Sequence, residues 1–195
     1  MIRIGMVAFR PDPTTFYTVL EQASIVADEV VVIYGRFKDF NMEYKKCPLM
    51  PVRDNIKLIE VDHKNTQFKQ RDIYLEGLGD NDILLMWDSD MILMNDPGDV
   101  RKFLLSLDRR WDSMQVEWLK ADGVYEQTSI CVFRYRKGWR HQSSNLLADK
   151  EENLICSPHH TVIRSGAEMV YFHLRDQGQA YRIRQREYWD HINKR

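Results

Sequence analysis

Asp88 and Asp90 stand on either side of Ser89, at the end of the apolar run Ile83-Leu-Leu-Met-Trp87. Two carboxylates this close repel each other unless a cation lies between them. A hard divalent ion, Mg²⁺ or Mn²⁺, takes oxygen ligands and can be shared with a diphosphate. An unbroken apolar run of this length fits a strand buried on both faces of an α/β sheet. Ligands of such sheets bind just beyond the carboxyl ends of the strands. Asp and Ser are also ordinary turn residues, so the pair has to be read with its surroundings.

Those surroundings alternate between strand and helix signals. Ile2–Phe9 reads as a first strand, and Asp12-Pro13 as the cap and first position of a helix running to about Ala27. Glu29–Tyr34 and Ile56–Val61 read as strands two and three, around a polar loop from Gly35 to about Pro51. A helix capped by Asn65 or Thr66 carries Phe68, Ile73, Leu75 and Leu78, with Gly77 and Gly79 near its end. Asp82–Trp87 is strand four. Asp96-Pro97 opens a further helix through Leu105, and Met114–Trp118 and Ser129–Tyr135 flank a loop at 120–123. Residues 138–166 read as loops and short helices, Met169–Leu174 as a last strand, and 180–194 as an amphipathic basic helix. This order predicts an α/β Rossmann-type mixed sheet, mostly parallel, with helices on both faces.

Composition sets the outer bounds. A chain of 195 residues is expected to form one domain with a sizeable core. No apolar run approaches the ~20 residues of a membrane-spanning helix. Met1-Ile-Arg-Ile-Gly5 enters a strand at once, giving the expectation of no signal peptide and a cytoplasmic location. Cys47, Cys131 and Cys156 are scattered, which argues against a disulfide framework or a zinc site. Charge is uneven: residues 1–132 hold 16 Lys/Arg against 22 Asp/Glu, and residues 133–195 hold 12 against 7. The acidic part contains the Asp pair, and the basic part could face phosphates or simply solvent.

Taken in order, several segments resemble a family 2-type glycosyltransferase of the GT-A fold. Ala27-Asp-Glu-Val-Val-Val-Ile33 is similar to the entry of that family's second strand, and the segment from Arg71 to Asp90 to its run from a basic helix residue to the Asp-x-Asp motif. Val132-Phe-Arg-Tyr-Arg-Lys-Gly-Trp139 and Tyr171-Phe-His173 resemble the family's later strand-and-turn and His segments. The resemblance departs at Tyr34-Gly35-Arg36, where many relatives place a base-reading Asp. Asp39 in the following loop is the substitute.

The resemblance implies one GT-A-like domain, with residues 1–95 as the nucleotide-sugar half and 96–195 as the acceptor half. It implies a donor held by Phe9, Arg10, Tyr34, Asp39, Arg71, Asp88 and Ser89, with a UDP-sugar foremost. Mn²⁺ or Mg²⁺ would be bound by Asp88, Asp90 and His173, Asp90 directly and Asp88 directly or through water. The acceptor would be a saccharide or lipid-linked glycan, with a hydroxymethylated DNA base as the minor option. A general base must then deprotonate the acceptor hydroxyl. Asp122, with Glu117 and Glu126 flanking the same loop, is the preferred candidate. Trp118, Trp139 and Tyr125 are candidates for a stacking platform. His159 and His160, as strand neighbours, point to opposite faces and do not form a metal pair. The competing readings are a nucleotidyltransferase, against which stands the lack of a Gly-rich loop after strand one, and a non-catalytic nucleotide-sugar-binding module.

Overall fold

The computed structural model describes residues 1–8, 11–36, 53–62, 70–119, 125–143 and 146–173. Phe9, Arg10, Asp39 and Asp122 lie outside them, as do Cys47 and the basic segment 180–194.

β1 (Ile2–Ala8) is buried at every position, as its near-continuous apolar sequence requires. It pairs in parallel with β2 (Glu29–Arg36), which pairs in parallel with β3 (Ile56–Asp62). Between β1 and β2 runs α1 (Pro13–Val26). Asp12 accepts a hydrogen bond from Thr15 N–H at 2.9 Å, and Pro13 opens the helix. Phe16, Val19, Leu20, Ala23 and Val26 form the buried stripe of α1.

On the other side of β1 lies β4 (Ile83–Met86), also parallel and fully buried. β5 (Met91–Leu93) follows four residues later, and then α2 (Pro97–Ser106), capped by Asp96 on Asp99 N–H at 3.1 Å. β6 (Ser113–Leu119) and β7 (Tyr125–Arg134) form an antiparallel pair, and β7 is antiparallel to β4. β8 (Arg140–Ser143) and β9 (Leu146–Ala148) make a separate two-stranded ribbon. β10 (Val162–Arg164) and β11 (Val170–His173) both run parallel to β6, and β11 pairs with β5. The main sheet is ordered β3-β2-β1-β4-β7-β6-β11-β5, with β10 also on β6.

This is the mixed, mostly parallel α/β Rossmann-like sheet that the sequence predicts. α1 and α2 share one core with Ile4, Val32, Leu85 and Tyr171. The second core contains Val31, Leu84, Phe133 and Trp139 and is covered by Tyr74, Leu75, Leu147 and Ile155.

Three elements differ from expectation. Of the helix predicted over 65–78, residues 65–69 lie outside the described ones; Gln70 and Arg71 are helical and lead into a 3₁₀ turn at Asp72–Leu75. It stops because Tyr74 drops onto β1, and Gly77 follows with φ +77°. Residues 138–166 contain β8, β9 and β10 where loops and short helices are expected. Strands of three or four residues are too short for an alternation to register. β5 is invisible in the sequence for the same reason.

Position in the sheet fixes its shape. β4 and β5 hold the fourth and eighth places in the strand order, yet only Trp87–Asp90 connects them. Four flat inter-strand steps of ~4.8 Å would span roughly 19 Å. Four residues that include a turn, Met91 N–H to Asp88 C=O at 3.2 Å, cannot reach that far. The sheet therefore curls, and the Asp-Ser-Asp segment closes the curl.

Candidate functional site

β1, β2, β3, β4, β6 and β11 share one direction, so their carboxyl ends form a single edge of the sheet. Asp88, Ser89 and Asp90 lie on this edge, just beyond the end of β4, all partly exposed. The turn that carries them is tied on both sides. Trp87 N–H donates to Gly5 C=O at 3.1 Å, and the Trp87 indole N–H donates to Met91 C=O at 2.6 Å. Trp87 is fully buried, edge-on to Tyr171 at 4.9 Å. A large aromatic side chain anchored at both ends holds the two flanking carboxylates in place.

Arg71 meets Asp88 directly. Its Nη2 donates to Asp88 Oδ1 at 3.1 Å, and its Nη1 to the Tyr74 hydroxyl at 3.4 Å. The Arg71 side chain is 3% exposed and the Asp88 side chain 37%. Arg71 is thus no solvated helix charge. Burial by itself would make the guanidinium easier to deprotonate, but Tyr74 and Asp88 outweigh it and hold Arg71 charged. Burial pushes the Tyr74 hydroxyl up to about 12, against the pull of Arg71, so it stays neutral.

Register aligns further residues along the edge. Leu85 of β4 pairs with Val132, and Val132 with Met114 of β6. Glu117, near the end of β6, and Asp88, just beyond the end of β4, therefore both lie toward the carboxyl edge, with two register shifts of β6 against β7 between Met114 and Trp118. A bulge lies there: Val116 pairs with Ser129 and Trp118 with Glu126, leaving two β7 residues opposite Glu117. Glu117 is partly exposed. Glu126 enters as a backbone position beside Trp118 and His173 as one beside Met91, next in sequence to Asp90. Asp88, Ser89, Asp90, Glu117, Glu126 and His173 thus share one edge.

Two other expected positions have buried side chains. Tyr34 is 2% exposed and belongs to the first core cluster, so its ring fills the interior. Trp139 is buried in the second core cluster, edge-on to His160, and is not available as a platform. His160 lies between two carboxylates, Nδ1 at 3.6 Å from Asp112 and Nε2 at 3.3 Å from Asp149.

Sequence reading passes over Gly5, Tyr74 and Cys131. A methyl group on Gly5 would overlap the Tyr74 ring, so the ring lies directly on the β1 backbone. A glycine inside an apolar strand is the signal that marks such a close approach. Cys131 on β7 is buried, and burial, reinforced by the charge of Asp88, pushes its thiol well above the usual range.

The donor set can be tested against a cation. Among the described residues no group of three or more His, Cys, Asp or Glu side chains could hold a metal. Two carboxylates on an open edge instead suit an ion that arrives with phosphate oxygens and water, the usual mode of Mg²⁺. The residues present fit a shared cation and not a closed protein cage.

No protein-family model matches the sequence. No curated protein matches it either. Among solved structures, Rv0371c of Mycobacterium tuberculosis H37Rv, determined as a complex with manganese, has a TM-score of 0.51 at 13% identity, over 94% of this chain and 96% of that one. A second structure of Rv0371c gives 0.50 at 13% identity, over 84% and 86%. S. aureus TarS gives 0.41 at 14% identity, over 63% of this chain and 22% of that one, too partial a likeness to bear on the fold. The Rv0371c likeness shows that the two proteins share a fold.

Proposed function

We propose that the protein is a metal-dependent glycosyltransferase that moves a sugar from a nucleotide-diphosphate sugar to an acceptor hydroxyl. One observation carries this reading: a rigidly anchored Asp-Ser-Asp turn at the carboxyl edge of an α/β sheet, with Asp88 held by a buried arginine. The resemblance in the sequence supports the reaction class. The manganese complex of Rv0371c makes Mn²⁺ the first cation to test.

In this reading Asp90 is the direct ligand, and Asp88, already engaged by Arg71, contacts the ribose or the cation through water. His173 is a further ligand, its backbone beside Met91. The cation supplies Lewis-acid neutralisation of charge growing on the leaving diphosphate. The chain's own residues orient the donor and remove the acceptor proton. Phe9 and Arg10, next in sequence after β1, act with Ser89 and Asp39 as the remaining donor contacts.

Glu117, on the same edge as Asp88, joins Asp122 and Glu126 as a candidate base for the acceptor proton, and a half-dry edge favours a carboxylate in that role. The acceptor is a glycan hydroxyl. The proposed division near residue 95 is bridged by β5, which pairs across to β11.

Calorimetry with a panel of nucleotide sugars, with and without Mn²⁺, tests the reading. Metal-dependent binding of one donor, abolished in Asp90→Ala, is expected. Release of pyrophosphate from a nucleoside triphosphate and a sugar phosphate would replace it with nucleotidyl transfer. Donor binding without turnover on any acceptor would reduce the protein to a binding module. Salt-sensitive duplex binding would redirect the acceptor to DNA.

A further inference from the structure

We infer that Tyr74 and Gly5 are positioning residues of the donor site, acting through Arg71 on Asp88; this deepens the glycosyltransferase reading and rests on it. Gly5 is the hinge of the arrangement. Its carbonyl accepts from Trp87 N–H at 3.1 Å, fixing the chain where it leaves β4 for Asp88. Its missing side chain is what lets the Tyr74 ring pack directly against β1. The same glycine thus sets the carboxylate's backbone from one side and the arginine's support from the other.

Tyr74 cannot easily move. It is fully buried, with the His141 ring edge-on at 5.4 Å. The 72–75 turn that carries it is tied at both ends. Asp72 Oδ1 accepts from His141 N–H at 2.9 Å, and the carbonyls of Tyr74 and Glu76 accept from Arg3 Nη1 at 3.0 and 2.6 Å. Arg71 then presents one fork nitrogen to the Tyr74 hydroxyl and the other to Asp88. A planar guanidinium seated at one nitrogen has its second direction fixed. An Asp88 side chain on an open edge, able to rotate, is in this way held to one orientation before any donor arrives.

The test is a double-mutant cycle on full-length protein: wild type, Tyr74→Phe, Asp88→Asn and the pair. Two quantities are read, the Kd for UDP with Mn²⁺ and the thermal midpoint. Tyr74→Phe keeps the ring on Gly5 and removes only the hydroxyl. It is expected to weaken UDP about tenfold, the usual size for an outer support of a metal site, and to add nothing once Asp88 is Asn. A purely structural Tyr74 would lower the midpoint and leave Kd unchanged, or act equally in both Asp88 backgrounds. Either result overturns the inference.

Should wild type bind no UDP with any divalent cation, the glycosyltransferase reading falls. The linkage is then read without ligand, from the midpoints of Arg71→Lys, Tyr74→Phe and the pair. Non-additive shifts sustain the linkage, and additive shifts overturn it.

Discussion

Arg71 Nη2 lies 3.1 Å from Asp88 Oδ1, and of the two side chains the cation is the buried one. This inverts the usual surface ion pair, in which both partners are solvated and the pair contributes little. Here the guanidinium has no water to return to, so its partner matters to the fold as well as to the site. Arg71→Met, close in length, should cost ~1–3 kcal/mol of stability, an amount reduced by the exposure of Asp88. Chemical unfolding reads it. A midpoint equal to wild type would show that the pair does not form in solution.

The Asp pair should divide its labour. Asp90→Ala should lower kcat by roughly 10²–10³, or ~2.7–4 kcal/mol, the scale of losing a preorganised electrostatic group. Asp88→Asn should instead raise the donor Kd more than it lowers kcat. Steady-state kinetics on the purified variants separates the two, and equal effects on kcat would count against separate roles.

The two described cysteines should react at different rates. Cys131 is buried and its thiol is pushed up by burial and Asp88, whereas Cys156 is partly exposed. Thiolate character and access both control alkylation. Mass spectrometry after brief iodoacetamide treatment should find Cys156 labelled and Cys131 protected until the protein unfolds. Early labelling of Cys131 would mean that β7 opens beside Asp88.

Acid should weaken the anchor of β6. Burial alone would raise the Asp112 carboxyl. The Thr161 N–H at 3.0 Å, the Arg136 guanidinium at 2.9 Å and His160 outweigh it and hold the carboxyl below its ordinary 3.8. A carboxyl with a depressed folded value contributes stability that is whole above the unfolded value and is lost as pH falls through the folded one. Asp112→Asn should therefore cost ~1–2 kcal/mol at pH 7 and less at pH 3. Thermal melts across that range check it, and a constant difference would contradict the assignment.

Much of the fold was legible because its signals are local and long. The buried strands β1, β2 and β4 announce themselves as apolar runs, and Asp12-Pro13 and Asp96-Pro97 mark helix starts that the structure keeps. The Asp88–Asp90 pair was legible because an apolar strand ending in carboxylates is itself a local pattern. What joins them was not. The pairing of His173 with Met91, and the edge shared by Asp88 and Glu117, depend on strand order and direction, which no single segment encodes. Tyr74 stands unmarked between Ile73 and Leu75 of the expected helix until Gly5, 69 positions earlier, is seen beneath it.

The turn that closes the curled sheet has a kinetic consequence. β5 lies at the end of the strand order, held by a three-residue pairing with β11 and by the Gln22 side-chain amide, which accepts from Leu93 N–H and donates to Leu93 C=O. Edge strands of this length open first in native-state hydrogen exchange. Because Asp90 is continuous with β5, each such opening would carry Asp90 away from its place, making the intact site and the intact edge a single cooperative unit. Ligand at the site would then slow amide exchange along the whole of β5 and β11, beyond Asp90 and His173 themselves.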